Sequence, residues 1–111
     1  MPRRHWRIRL SAVAERDFLG IVEWTAETFG IRQAKTYQRT LMLALAALQH
    51  GPEVPDSEPR DEIRSGVRSL HVARKGRRGR QFILYRTADA DRIEIVRILH
   101  DSMDVSRHIP P

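Results

Sequence analysis

Hydrophobic positions change period along this chain. Arg7-Ile8-Arg9-Leu10 alternates polar and apolar, the pattern of a short first strand. Ala14, Phe18, Ile21, Val22, Thr25 and Phe29 then recur at helical spacing. Ser11 is placed to cap this helix, and Glu15 and Asp17 sit in its first turns, where the helix dipole favours negative charge. Gly30 predicts its end, in a left-handed cap. Ala34, Tyr37, Leu41, Leu45 and Leu48 form a second helical stripe, stopped by Gly51-Pro52. So short a link between the stripes predicts an antiparallel helical hairpin, and its apolar side needs a sheet to cover it.

The last third supplies that sheet. Val67 to Arg74, Arg80 to Thr87 and Arg92 to Leu99 read as a three-stranded antiparallel meander. Phe82-Ile83-Leu84-Tyr85 and Ile95-Val96-Arg97-Ile98-Leu99 are apolar on both faces, as inner strands are. Ala88 to Asp91 is a short hairpin turn, whereas Arg74 to Arg80 is longer, with Gly76 and Gly79 giving it freedom to move. Between helices and sheet, Gly51 to Arg64 holds three prolines and five acids and reads as a loop whose carboxylates pair with nearby arginines. The expected fold class is α+β, in the order β-α-α-β-β-β, with the helical hairpin packed on a mostly antiparallel sheet.

Composition narrows the chemistry. The 111 residues suit one domain, taken as 1–111, with a single modest core. There is no cysteine, which excludes disulfides and thiolate sites, and His5, His50, His71, His100 and His108 lack metal-ligand spacing. No metal or cofactor is expected. No apolar run reaches the length of a membrane span, and the basic N-terminus leads into no apolar signal segment, so a cytoplasmic location and no membrane partner are expected. The net charge is +6, and eighteen of the twenty basic residues are arginine, which predicts an acidic partner.

Candidate chemistry is sparse. Five of the seven residues from Arg74 to Arg80 are cationic, a finger suited to phosphate or carboxylate. It has no interleaved aromatics for base stacking, and no sequence-specific nucleic-acid binding is expected. Arg68, His71, Tyr85, Arg86, Arg97 and His100 include the residue types a metal-independent ribonuclease uses. Tyr85 and Arg86, however, point to opposite faces of their strand. His100-Asp101 resembles a base–carboxylate pair, yet adjacent strand residues diverge, so a cap on the strand end is the simpler role. No serine lies in a nucleophile elbow, and Gly76 and Gly79 do not precede a helix as a phosphate-binding loop would.

Four segments belong together: Leu10-Ser11 with Ala14, Asp17-Phe18 and Ile21-Val22; Phe29-Gly30 with Gln33-Ala34 and Tyr37; Ile83-Leu84-Tyr85-Arg86; and Ile95 to His100 with Met103-Asp104 and Arg107-His108. In this order and spacing they resemble toxins of the RelE/ParE superfamily, and ParE in particular. The resemblance spans about residues 6 to 108. It implies the toxin of a type II toxin-antitoxin module that inhibits DNA gyrase by binding, with no enzymatic activity. The alternative is a RelE-like ribosome-dependent mRNA endonuclease. The loop before the meander holds no lysine, no tyrosine follows Tyr85, and the tail after His100 carries only Asp101, Asp104, Arg107 and His108 as ionisable groups. These are departures from the ribonuclease pattern.

The resemblance also implies a ParD-like ribbon-helix-helix antitoxin with an amphipathic, often acidic tail. Arg16, Trp24, Arg32, Lys35 and Arg39 on the helices are its candidate contacts. Arg74, Lys75, Arg77, Arg78, Arg80, His100, Asp101 and Arg107 are the candidate contacts to the target.

Overall fold

The computed structural model describes residues 5–102. Strand β1 (Arg7–Leu10) is followed by α1 (Ala12–Phe29) and α2 (Ile31–Ala47), then by a 3-10 turn at Leu48–His50. Four strands follow: β2 (Ser57–Pro59), β3 (Val67–His71), β4 (Gln81–Asp89) and β5 (Arg92–His100). One sheet runs in the order β1-β5-β4-β3-β2. Only β1 lies parallel to its neighbour, β5; the other pairs are antiparallel.

Local signals set the helix ends. The Ser11 hydroxyl accepts a hydrogen bond from the Ala14 amide at 3.0 Å and donates to the Val96 carbonyl at 3.0 Å, joining the helix start to β5. Gly30 closes α1 and opens α2 at φ 99° and ψ 164°. This is a positive-φ conformation, but an extended one and not the expected left-handed cap; its φ still favours glycine.

The sheet carries apolar residues on both faces, as β4 and β5 predicted. Leu41, Ala44 and Leu48 of the helical layer pack with Leu70, Ile83, Tyr85, Ile93, Ile95 and Ile98. On the opposite face Val67, Phe82, Leu84 and Leu99 form a second cluster, covered in part by Ile63. A register shift between Leu84 and Tyr85 lets β5 carry one extra residue, Val96.

Several expectations need correction. The acidic loop contains β2, a three-residue strand pairing Ser57, Glu58 and Pro59 with Leu70, Ser69 and Arg68. Its proline and charges hide it from periodicity and suit it to a sheet edge. Strand β3 stops at His71, three residues short of Arg74, because the chain turns once the Val72 amide has bonded the Gln81 carbonyl. Strands β4 and β5 each run slightly further than the apolar pattern suggested. Phe29 is 62% exposed at the hairpin tip and does not belong to the core stripe. Asp17 does not act at the first turn, where Glu15 is the only acid; its carboxylate reaches across to β5. No helix among the described residues is long and apolar enough to cross a membrane.

Candidate interaction surfaces

The basic turn is held at both ends. The Arg74 side chain is only 10% exposed; it donates to the Pro55 carbonyl at 3.3 Å and lies 3.7 Å from the Asp56 carboxylate. Arg80 pairs with Asp101 at 3.1 Å, and the Asp101 amide returns a bond to the Arg80 carbonyl at 2.7 Å. Between these anchors the Arg77 amide bonds the Arg74 carbonyl at 3.1 Å, with Lys75 at φ 53° and Gly76 at φ 80°. Two positive φ angles in a bonded four-residue turn are the type I′ pattern, and at Lys75 they cost a side chain with a β-carbon about 1 kcal/mol.

The other glycine, Gly79, does not loosen the turn. A β-carbon there would lie 2.6 Å from Val72 Cγ2 and 2.7 Å from the Tyr37 hydroxyl, so Gly79 is needed for close packing. The Tyr37 hydroxyl accepts from the Arg80 amide at 3.3 Å and bonds the Gln81 side chain. Burial raises the Tyr37 pKa above its ordinary value, so the hydroxyl keeps its proton at neutral pH. Tyr37 of α2 thus clasps the second limb of the turn at Gly79 and Arg80. Lys75, Arg77 and Arg78 remain, with no carboxylate partner among the described residues.

His71, His100 and Asp101 meet beside this turn. His71 Nε2 lies 3.0 Å from Asp101, while its Nδ1 accepts from the Ala73 amide at 3.0 Å. Both ring nitrogens are therefore engaged, and the amide bond assigns the proton to Nε2. The bond from His71 holds the Asp101 carboxyl below the usual carboxylate range, with further help from Arg80. His100 Nδ1 accepts from the Ser102 amide at 3.1 Å, which closes the strand end as expected. A hollow of about 370 Å³ opens here, lined by Asp56, Glu58, Arg60, Ser69, His71, Phe82 and Asp101. Arg60 is already bonded to the Ser69 hydroxyl at 2.9 Å and lies over the Phe82 ring at 5.9 Å.

The other ribonuclease-type residues are dispersed. The Tyr85 hydroxyl is turned inward and donates to the Pro52 carbonyl at 2.6 Å, which also accepts from Arg68 Nε at 2.9 Å. Arg86 lies on the opposite face, paired with Glu94 at 2.8 Å. Arg97 donates two hydrogen bonds to Asp17, at 2.8 and 3.0 Å, and this bonding to the carboxylate raises its pKa. Asp17 also accepts from the Ile98 amide at 2.9 Å. Sequence reading missed this bridge because its partners are eighty residues apart.

The helical candidates are exposed. Arg32, Lys35 and Arg39 recur at i, i+3 and i+7 on one side of α2, and neither they nor Arg16 have a carboxylate partner among the described residues. Trp24 is 58% exposed and edge-to-face with Phe29, ring centroids 5.7 Å apart. It lines a hollow of about 430 Å³ between α1 and the end of β5, together with Arg16, Gly20, Ile98 and His100. Arg107 lies outside the described residues, as do Met103, Asp104 and His108.

A helical hairpin packed on a mostly antiparallel sheet in this strand order is a fold shared with solved structures of toxin-antitoxin systems. The chromosomal ParDE toxin-antitoxin system of P. aeruginosa aligns with a TM-score of 0.71 at 18% identity, covering 87% of this chain and 97% of that one. The RelBE2 toxin-antitoxin complex of Mycobacterium tuberculosis aligns at 0.57 and 21% identity, covering 89% of this chain and 94% of that one. These likenesses define the fold, the RelE/ParE type of α+β.

The family follows from sequence. Residues 8–105 match the family model for the ParE toxin of the type II toxin-antitoxin system parDE, and the chain belongs to that family. It is 32% identical to Toxin ParE1 of Mycobacterium tuberculosis over 103 residues, which is 93% of this chain and 97% of that protein. It is 29% identical to Toxin ParE1 of Caulobacter vibrioides over 101 residues, 91% and 95% of the two chains.

Proposed function

We propose that this toxin acts in the cytoplasm by binding DNA gyrase, without chemistry of its own, and is silenced by a ParD-like ribbon-helix-helix antitoxin. The observation that carries the mechanism is the state of His71. A general base needs a free ring nitrogen facing the 2′-hydroxyl it deprotonates. Here one nitrogen takes a backbone proton and the other is tied to Asp101. The adjoining hollow sets three carboxylates against one guanidinium, Arg60, which is already bonded to Ser69, a lining poorly suited to a scissile phosphate. Tyr85, Arg86 and Arg97 serve bonds elsewhere in the fold.

The helical face supports the antitoxin reading. An acidic amphipathic segment laid over Arg16, Arg32, Lys35 and Arg39 gains charge-assisted bonds and steered association, with Trp24 as an apolar anchor. The basic turn and His100-Asp101 are the proposed target contacts, with Arg107 beyond the described residues; His100 borders the hollow that Arg16 and Trp24 also line.

Two parallel assays test the mechanism. Purified protein should block supercoiling by gyrase and accumulate cleaved plasmid, while mRNA on programmed ribosomes stays intact. Transcript cuts with normal supercoiling would reverse the reading in favour of an endonuclease.

A further inference from the structure

Residues 63–88 contain no aspartate or glutamate, yet hold eight arginines and lysines. The structure brings carboxylates from outside this stretch to several of them: Asp56 to Arg74, Asp101 to Arg80 and Glu94 to Arg86. Among the described residues, the tip of the basic turn receives none. Its Lys75, Arg77 and Arg78 lie within four consecutive residues, and Lys75 occupies a left-handed position ordinarily filled by glycine, asparagine or aspartate. A strained backbone that keeps a cation at a tip points to use of that cation.

We propose that Lys75, Arg77 and Arg78 form a preorganised contact for the phosphodiester backbone of duplex DNA, independent of base sequence. Arg74 and Arg80 are not phosphate ligands; they are positioning residues, spent on Asp56 and Asp101 to fix the turn. Tyr37 and the close packing at Gly79 fix its second limb.

Two features favour a polyphosphate over an acidic protein surface. First, the turn offers no apolar anchor. Ala73 is the only hydrophobic residue from Ala73 to Arg80, whereas strong protein contacts centre on a desolvated aromatic or aliphatic side chain. Backbone contact with DNA needs no such anchor. Second, three cations in four residues set a compact positive charge against a backbone that carries about one negative charge per 1.7 Å of axis. The choice of duplex DNA as the source of phosphate rests on the gyrase reading, since that enzyme holds its DNA at the working site. The phosphate chemistry rests on the turn alone.

Fluorescence anisotropy with a labelled random-sequence duplex, titrated across salt concentrations, tests this directly. Binding should weaken with salt along a straight log–log line. The triple variant K75Q/R77Q/R78Q should flatten that slope by about 2.7, since each lost phosphate contact removes about 0.9. Each single glutamine variant should remove about 0.9, which keeps the test decisive if the triple variant fails to fold. Poly-glutamate should compete only weakly. No binding to the duplex, an unchanged slope in folded variants, or stronger capture by poly-glutamate would each overturn the proposal. A gyrase assay separates the two readings. DNA binding with normal supercoiling would leave the phosphate contact standing and remove the gyrase reading. Equal inhibition by wild type and triple variant, with an unchanged salt slope, would do the reverse.

Discussion

Arg97 at the seam between α1 and β5 and Arg78 at the tip of the basic turn carry the same side chain into opposite surroundings. Arg97 is 20% exposed and bonded twice to Asp17, itself 15% exposed, and that carboxylate also holds the Ile98 amide. Arg78 is exposed and meets no carboxylate among the described residues. The seam uses arginine to close the fold, and removing either partner takes two charge-assisted bonds from a side chain largely shielded from water. The turn uses it as surface charge, held on a backbone that other residues make rigid. The number of arginines therefore overstates the positive surface open to a partner, because several of them are committed to carboxylates within the fold.

The largest expected effect lies at the seam. Asp17→Ala removes both of these bonds from Arg97 and the bond to the Ile98 amide, and should destabilise the fold by about 3 kcal/mol in chemical denaturation. K75Q/R77Q/R78Q should shift the same midpoint by less than about 0.5 kcal/mol. If the two variants proved equally destabilising, the contrast between seam and turn would be lost.

The clasp comes next. Gly79→Ala drives a methyl group into Val72 and the Tyr37 hydroxyl, at a cost of about 1–3 kcal/mol. It should weaken DNA binding although no charge is removed. Unchanged stability and binding would mean that the turn does not depend on this packing. On the helical face, Trp24→Ala should weaken antitoxin binding by about 2 kcal/mol in calorimetry while leaving duplex binding intact. Loss of both would merge the two surfaces into one.

The smallest effect is pH-dependent. The Asp101 carboxyl titrates below its ordinary range, so it binds protons less readily folded than unfolded. Its stabilising contribution is full above the unfolded value of about 3.9 and is lost as pH falls through the lower folded value. Asp101→Asn should abolish that part of the acid response. Identical acid-unfolding curves for variant and wild type would remove Asp101 from the account.

What could be read from sequence follows the range of the interactions. The helical stripes, the Ser11 cap and the three long strands rest on neighbours within a few residues, and all are present. Strand β2 was hidden because three residues with a proline carry no period, and only the partner strand defines them. The turn was read as mobile because two glycines suggest freedom. Tyr37, which shows that Gly79 is needed for contact, is bonded to a residue forty-three positions away. The candidate cations were legible as a charge pattern, but their division into anchors and free groups was not. That division depends on Asp56 and Asp101, which the fold brings to the two ends of the turn.

The most direct test of the central claim is a titration of gyrase supercoiling with wild-type toxin and with K75Q/R77Q/R78Q, both confirmed folded. Wild type should halt supercoiling, and the triple variant should need at least about ten times more protein for the same effect, a difference of about 1.4 kcal/mol in binding. Superimposable titrations, or supercoiling that proceeds normally at saturating wild-type toxin, would contradict it.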